Sequence, residues 1–203
     1  MARTVKHPEE RKRELLETAM KLFAENGYDN VSVRSVAREA HVAPGLAYHY
    51  FDSKQTMFEQ VIKHYSNECA ELFNTILEDE SFSLDEKIER IFRIGTDHSY
   101  FPHKDFFHSS EQGALHDRLS LGICKAVLPH VQHALELDAL LRGRSGKDAE
   151  TLAGLLTYGW IHLASKKHLS DNELHSAQRY TQALLKEFRS ERTERHVKEA
   201  ERK

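Results

Sequence analysis

The residue types best suited to intermolecular chemistry are gathered between Ser32 and Lys54. Arg34 and Arg38 stand one helical turn apart, and Tyr48, His49 and Lys54 bring further donors. Between the two groups run Ala43, Pro44, Gly45 and Ala47, all small. A short helix with small side chains lets its backbone sit deep in the major groove of a duplex. Tyr48, His49 and Lys54 are then expected to donate to phosphates, which fix register without reading sequence. Arg34 and Arg38 can reach base edges or phosphates, or simply remain solvated. Ser32, at the head of the first short helix, is counted with this DNA-binding set.

A second constellation is aromatic and imidazole-rich: Tyr100, Phe101, His103, Phe106, Phe107, His108 and His116. With Ile123 and Val127 these residues supply the apolar wall and few polar anchors of a small-molecule pocket. An ordinary core edged by surface histidines is an equal reading. Fourteen histidines invite a metal reading, but His130 with His133 is the one pair spaced to share a helical face in its region, and no Cys or carboxylate clearly completes a site. Cys69 and Cys124 fit no metal or redox spacing, and only Lys125 is basic near Cys124 as a redox sensor. For catalysis there is no nucleophile–base–acid set, no glycine-rich phosphate loop and no H-E-x-x-H; Glu111 with His108 or His116 is a chance pairing. The expectation is a chain without catalytic residues, resident metal or cofactor, answering to an unknown small-molecule effector.

The bulk numbers set the frame. The chain has 203 residues, 39% hydrophobic and 30% charged, enough to bury a sizeable core and too apolar for disorder. Nine glycines and four prolines suit long helices better than a loop-rich β fold. No stretch approaches the roughly 18 apolar residues of a membrane span, and charge rather than an apolar run follows Met1–Pro8, so no signal peptide is read. Two distant cysteines make a reducing cytoplasm the default. The net charge of -3 gives no global nucleic-acid signature. Residues 1–54 hold nine Lys/Arg and eight Asp/Glu, a net of +1 (9 - 8). That is too little for a non-specific nucleic-acid coat and enough for a reader with a few placed cations. Arg3, Lys6, Arg11, Lys12 and Arg13 make an N-terminal arm suited to the backbone or minor groove.

Helices must position these side chains. Pro8, Glu9 and Glu10 open one over 8–26, with Leu15, Leu16, Ala19, Met20, Leu22 and Phe23 on one face and a left-handed Gly27 at its end. Ser32 caps a helix to about Ala40, His41–Ala43 is a turn, and Pro44 opens a third helix to Tyr50. Asp52-Ser53 caps a long fourth helix with a stripe from Phe58 to Ile76. Ser83 with Glu86, and Ser170 with Glu173, form capping boxes. Further helices are expected over about 117–141, kinked at Pro129, over 147–166, and from Ser170 to about Glu191. Residues 101–116 are ambiguous, and 192–203 form a charged tail.

The run Glu25-Asn26-Gly27-Tyr28, then Ser32-Val33-Arg34-Ser35-Val36-Ala37-Arg38-Glu39-Ala40, then Tyr48-His49-Tyr50-Phe51-Asp52-Ser53-Lys54 strongly resembles the N-terminal domain of the TetR family over about residues 8–65. The resemblance implies an all-α chain: a three-helix, helix-turn-helix DNA-binding domain (1–54, motif about 32–51) and a C-terminal helical bundle (55–191) for ligand binding and dimerisation. It implies a cytoplasmic, ligand-responsive transcription regulator, a homodimeric repressor released from palindromic double-stranded DNA by a small effector. A DNA-bound adaptor recruiting a protein partner and a metal-sensing regulator stand as alternatives, the adaptor marked by a cavity-free bundle. Two departures concern the reading head: the turn is His41-Val42-Ala43 where Gly-Val-Ser or Gly-Val-Thr is common, and Ala47 replaces a larger apolar residue. The resemblance favours a dimer seam from Leu152, Leu155, Leu156, Gly159, Trp160, Leu163, Tyr180, Leu184 and Phe188; the rival is that both helices close the monomer's own core.

Overall fold

The computed structural model describes residues 7–96, 100, 101, 103, 106, 113–164, 166 and 169–190. Among the described residues the regular structure is entirely helical, in eight helices: α1 (Pro8–Asn26), α2 (Val33–Glu39), α3 (Pro44–Tyr50), α4 (Lys54–Glu78), α5 (Leu84–Thr96), α6 (Gly113–Leu141), α7 (Ala149–Ala164) and α8 (Asp171–Ser190). None is long and apolar enough to cross a membrane. Phe107, most of the aromatic stretch and the 192–203 tail lie outside the described residues.

The caps explain the boundaries. The Ser35 N–H donates to Ser32 Oγ at 3.1 Å, and the Ser32 N–H donates back to Ser35 Oγ at 2.8 Å. Such a cap is worth about 1 kcal/mol. Before α4, Ser53 Oγ accepts from the Thr56 N–H at 3.0 Å. The Ser83–Glu86 and Ser170–Glu173 boxes both form. Lys166, with Ser170, holds the Glu173 carboxylate down at about 2. Gly27 departs from the left-handed geometry expected of it: φ is 75° but ψ is 165°, a combination essentially reserved for glycine.

The chain divides into two compact units. The first takes Met1–Glu68 and Phe101–Gly122. In it α2 packs on α1 and on α3, and Leu15, Phe23, Val36, Phe51, Met57 and Val61 are buried at its centre. Phe23, Tyr28 and Phe58 form an aromatic triplet, with Phe58 edge-on to the other two at 4.9 and 4.7 Å. Gly122 lets α6 pass close to α4, since a Cβ there would lie 2.5 Å from Ser66 Oγ.

The second unit takes Cys69–Tyr100 and Ile123–Lys203. Buried Lys87 donates to the Leu77 carbonyl at 2.7 Å and so satisfies an acceptor in the last turn of α4. Arg189, near the end of α8, is bidentate to Asp85 on α5 (2.8 and 3.1 Å) and to Asp138 on α6 (2.9 and 3.1 Å). Burial opposes the Arg189 charge, but these two carboxylates outweigh it and raise its pKa. The same contact lowers the pKa of Asp85.

Candidate nucleic-acid interface and apolar cavity

In the first unit α2 and α3 are joined by a turn in which His41 takes φ 54°, the left-handed conformation expected of it at more cost than a glycine. Backbone bonds hold the turn: the Val42 N–H donates to the Ala37 carbonyl at 2.9 Å and the His41 N–H to the Arg38 carbonyl at 3.2 Å. Pro44 starts α3 behind Ala43, whose side chain gives no cap bond. Tyr50 Oη donates to the Pro8 carbonyl at 3.2 Å, tying the end of α3 to the start of α1.

Most of the side chains expected to meet DNA lie outward. Arg34, Arg38, Ala43, Pro44, Gly45, Tyr48 and His49 are all exposed, as is the capping residue Ser32. Among the described residues neither arginine has an intramolecular ion pair. Lys54 is half-buried: Nζ donates to the Asp29 carbonyl at 3.1 Å and lies 4.2 Å over the Tyr28 ring. It therefore braces the head of α4 as well as carrying charge. Ala47 corrects the sequence reading. It is completely buried, on the face of α3 turned to the core, and offers nothing to a groove. Its small volume serves packing of α3 within this unit.

The second unit contains an apolar cavity of about 70 Å³. Ile123 and Val127 line it as expected, together with Phe73, Phe92, Leu156 and Trp160. Tyr100, Phe101, His103 and Phe106 are not among its lining residues; Tyr100 is half exposed and Phe101 is buried in the first unit. Among the described residues, the aromatic-imidazole segment thus contributes nothing to the wall of this cavity. Apolar faces of α4, α5, α6 and α7 supply it instead. Thr157 and Thr181 also line it; Thr157 was not singled out by spacing, and its signal, a hydroxyl set among apolar neighbours on an otherwise apolar helix, is visible only once the cavity is known.

The expected dimer seam divides in two. Leu152 and Phe188 are buried within the unit, Leu156 lines the cavity, and Trp160 packs on Phe92 with ring centroids 4.1 Å apart. These four serve the chain's own core, because α7 is apolar on every side and must bury one side at home. Leu163 is intermediate. Leu155 (60% exposed), Gly159, Tyr180 (62%) and Leu184 remain outward on α7 and α8, joined by Tyr158. For the metal reading, His130 Nδ1 sits 2.8 Å from Glu78 Oε1, while His133 is exposed. Among the described residues no three metal-ligating side chains converge. Burial pushes the Cys124 thiol up to about 11, the opposite of an activated thiolate.

Residues 15–61 match the family model for bacterial regulatory proteins of the tetR family. Among curated relatives, the transcriptional repressor KstR2 of Rhodococcus jostii is 40% identical over 55 residues, covering 27% of each chain. KstR2 of Mycolicibacterium smegmatis is 33% identical over 89 residues, 44% of this chain and 43% of that one. The matched segments thus span less than half of either relative. Over nearly the whole chain the backbone is similar to Salmonella enterica GusR (19% identity, 91% of this chain and 100% of that one, TM-score 0.61). It is equally similar to a TetR-family transcriptional regulator from Pectobacterium atrosepticum (20% identity, 93% and 100%, TM-score 0.60). Outward cations on a capped helix pair, the matched segment and the shared helical fold agree: this chain carries, over residues 15–61, the N-terminal domain of the tetR family of bacterial regulatory proteins.

Proposed function

We propose that this protein is a ligand-responsive transcription regulator, a repressor that binds a palindromic operator as a homodimer and leaves it when a small molecule enters the C-terminal unit. Residues 1–54 are the reading head, 55–191 bind ligand and partner subunit, and 192–203 are a charged extension. The observation that carries the reading is the outward set Arg34, Arg38, Gly45, Tyr48 and His49 on a helix pair fixed by the Ser32 cap and the His41 turn. Small residues at the start of α3 allow close approach to base edges, while the cations meet phosphates. The repressors among the relatives support the direction of regulation. Helix α4 is the lever: Met57 and Val61 pack in the first unit, and Phe73 and Leu77 line the cavity. A ligand that tilts α4 shifts each α3 from the half-site spacing of roughly 34 Å that successive major grooves require. The cavity favours this over a protein-recruiting adaptor, whose bundle would be closed.

Retardation of fragments from the region upstream of its own gene, at low ionic strength, tests the reading; a protein that retains none of them is not such a regulator. Tyr48→Ala should weaken binding to specific and unrelated DNA alike, by about tenfold, and leave the salt slope unchanged, because a neutral hydroxyl on a phosphate displaces no counterion. A change in the preferred sequence would instead make Tyr48 a base reader. For the dimer, Leu155→Glu combined with Leu184→Glu should give a monomer by sedimentation, because two carboxylates would be desolvated in a symmetric seam. A dimer of unchanged strength would place the seam elsewhere.

A further inference from the structure

The outward face of α3 carries one group that can change its charge near neutral pH. Gly45, Tyr48 and His49 are exposed while Ala47 is buried, and their spacing puts these three on one side of the helix. Among them only the imidazole titrates between about pH 5 and pH 8. Its ring meets Tyr50 edge-on, with centroids 5.4 Å apart. Among the described residues no carboxylate pairs with His49, in contrast to His64 with Glu68 and His130 with Glu78.

The neighbouring elements bring both signs of charge. On α2, Arg34 and Arg38 oppose a further cation on this surface, and Glu39 is engaged with Lys21 of α1 at 3.5 Å. At the start of α1, Arg11 and Arg13 pair with Glu14 and Glu17 of the same helix, leaving Glu9, Glu10 and Lys12. Towards α4, Lys54 is spent on the Asp29 carbonyl and the Tyr28 ring, and Asp52 is exposed. An imidazolium at position 49 therefore has no counter-ion at contact distance among these groups. Duplex DNA supplies one, with a phosphate charge for about every 1.7 Å of its axis. An anion brought close favours the charged imidazole. Because such coupling is reciprocal, added protons must then tighten the complex.

We propose that His49 makes DNA binding by this head proton-linked: in each bound head the imidazole takes up a proton and donates to a backbone phosphate, so affinity rises on acidification through the histidine range. The proposal rests on the reading of α3 as the helix that meets DNA, and names a regulation of that same site.

The test uses the full-length protein and two duplexes carrying a pH-insensitive dye, the upstream fragment and a mixed-sequence duplex of about 30 base pairs, long enough for two half-sites. Anisotropy is read at about pH 8 and about pH 6, at fixed ionic strength and then across a salt series. Wild type should bind both duplexes about three- to tenfold more tightly at the lower pH, since a phosphate contact is blind to sequence. Its salt slope should steepen there by about one per head. His49→Gln should lose both changes. His49→Lys, charged throughout, should keep the steep slope and the tighter binding at either pH. His41→Asn, at the other exposed imidazole of the helix pair, should retain the full pH gain, and circular dichroism at both pH values should show every variant folded. An undiminished gain in His49→Gln, or a wild type whose affinity ignores pH, overturns the proton linkage and leaves the regulator reading in place. Retention of neither duplex at any pH overturns both.

Discussion

Gly45→Glu is expected to abolish operator binding, by at least about a hundredfold, while leaving the protein as stable as before or slightly more so. Gly45 is exposed near the start of α3, its φ is not positive, and a Cβ there would meet no atom within 4 Å. The new side chain therefore costs no packing. A glycine in a helix is about 0.5–1 kcal/mol poorer than an ordinary residue, and a carboxylate in the first turn suits the dipole. On the DNA side the same carboxylate would stand between the helix and a surface of phosphates, where like charges brought together cost several kcal/mol. Melting temperature and fluorescence anisotropy on a labelled upstream fragment give the two readouts. Undiminished DNA affinity in a folded Gly45→Glu protein would mean that α3 does not enter the groove.

The second large effect falls on stability. Arg189→Met should destabilise the second unit by about 2 kcal/mol, because it removes two bidentate pairs at once and leaves Asp138, only 10% exposed, with Arg142 as its remaining cation. The loss should depend on pH in a definite direction. The Asp85 carboxyl is held below its ordinary range by Arg189, so its contribution is fully present above the unfolded value near 4 and fades as pH falls through the lower folded value. Wild type and Arg189→Met should therefore differ fully at neutral pH and converge in strong acid, with the Asp85 share discounted for its 43% exposure. Urea unfolding at several pH values measures this. A gap that does not narrow in acid would assign the stabilisation to packing of the Arg189 stem instead.

Local chemistry made the helices legible. Ser32, Ser53, Ser83 and Ser170 each mark a helix start by a side-chain bond that any reader of caps can anticipate, and Pro8 and Pro44 mark two more starts. The cap and turn of the head were legible for the same reason, as Ser32, Ser35, Ala37, Arg38, His41 and Val42 bond to neighbours close in sequence, whereas Tyr50 and Lys54 reach back to Pro8 and Asp29. Ala47 was misread because smallness alone does not say whether a residue faces a groove or a core. What could not be read were relations across long separations. Arg189 meets partners 51 and 104 residues away, and the cavity draws on four or more helices. In α7 the apolar residues run round the whole circumference, so periodicity gave no sign that Leu152, Leu156 and Trp160 turn inward while Leu155 turns out. The aromatic segment drew attention by composition, although the described wall of the cavity comes from apolar faces of the long helices, Phe73, Phe92 and Trp160 among them.

The bend between α2 and α3 has a further consequence. Its shape is imposed by amide-to-carbonyl bonds from Val42 and His41 to the preceding helix, and the imidazole of His41 is exposed. Position 41 is thus decoupled: the main chain sets the angle between the helices, and the side chain is left over. Glycine there would relieve the left-handed backbone of position 41, whereas other side chains would keep that modest conformational penalty and present a different group to the surface. The side chain at position 41 can therefore be exchanged without touching the amide-to-carbonyl bonds that hold the two helices at their angle.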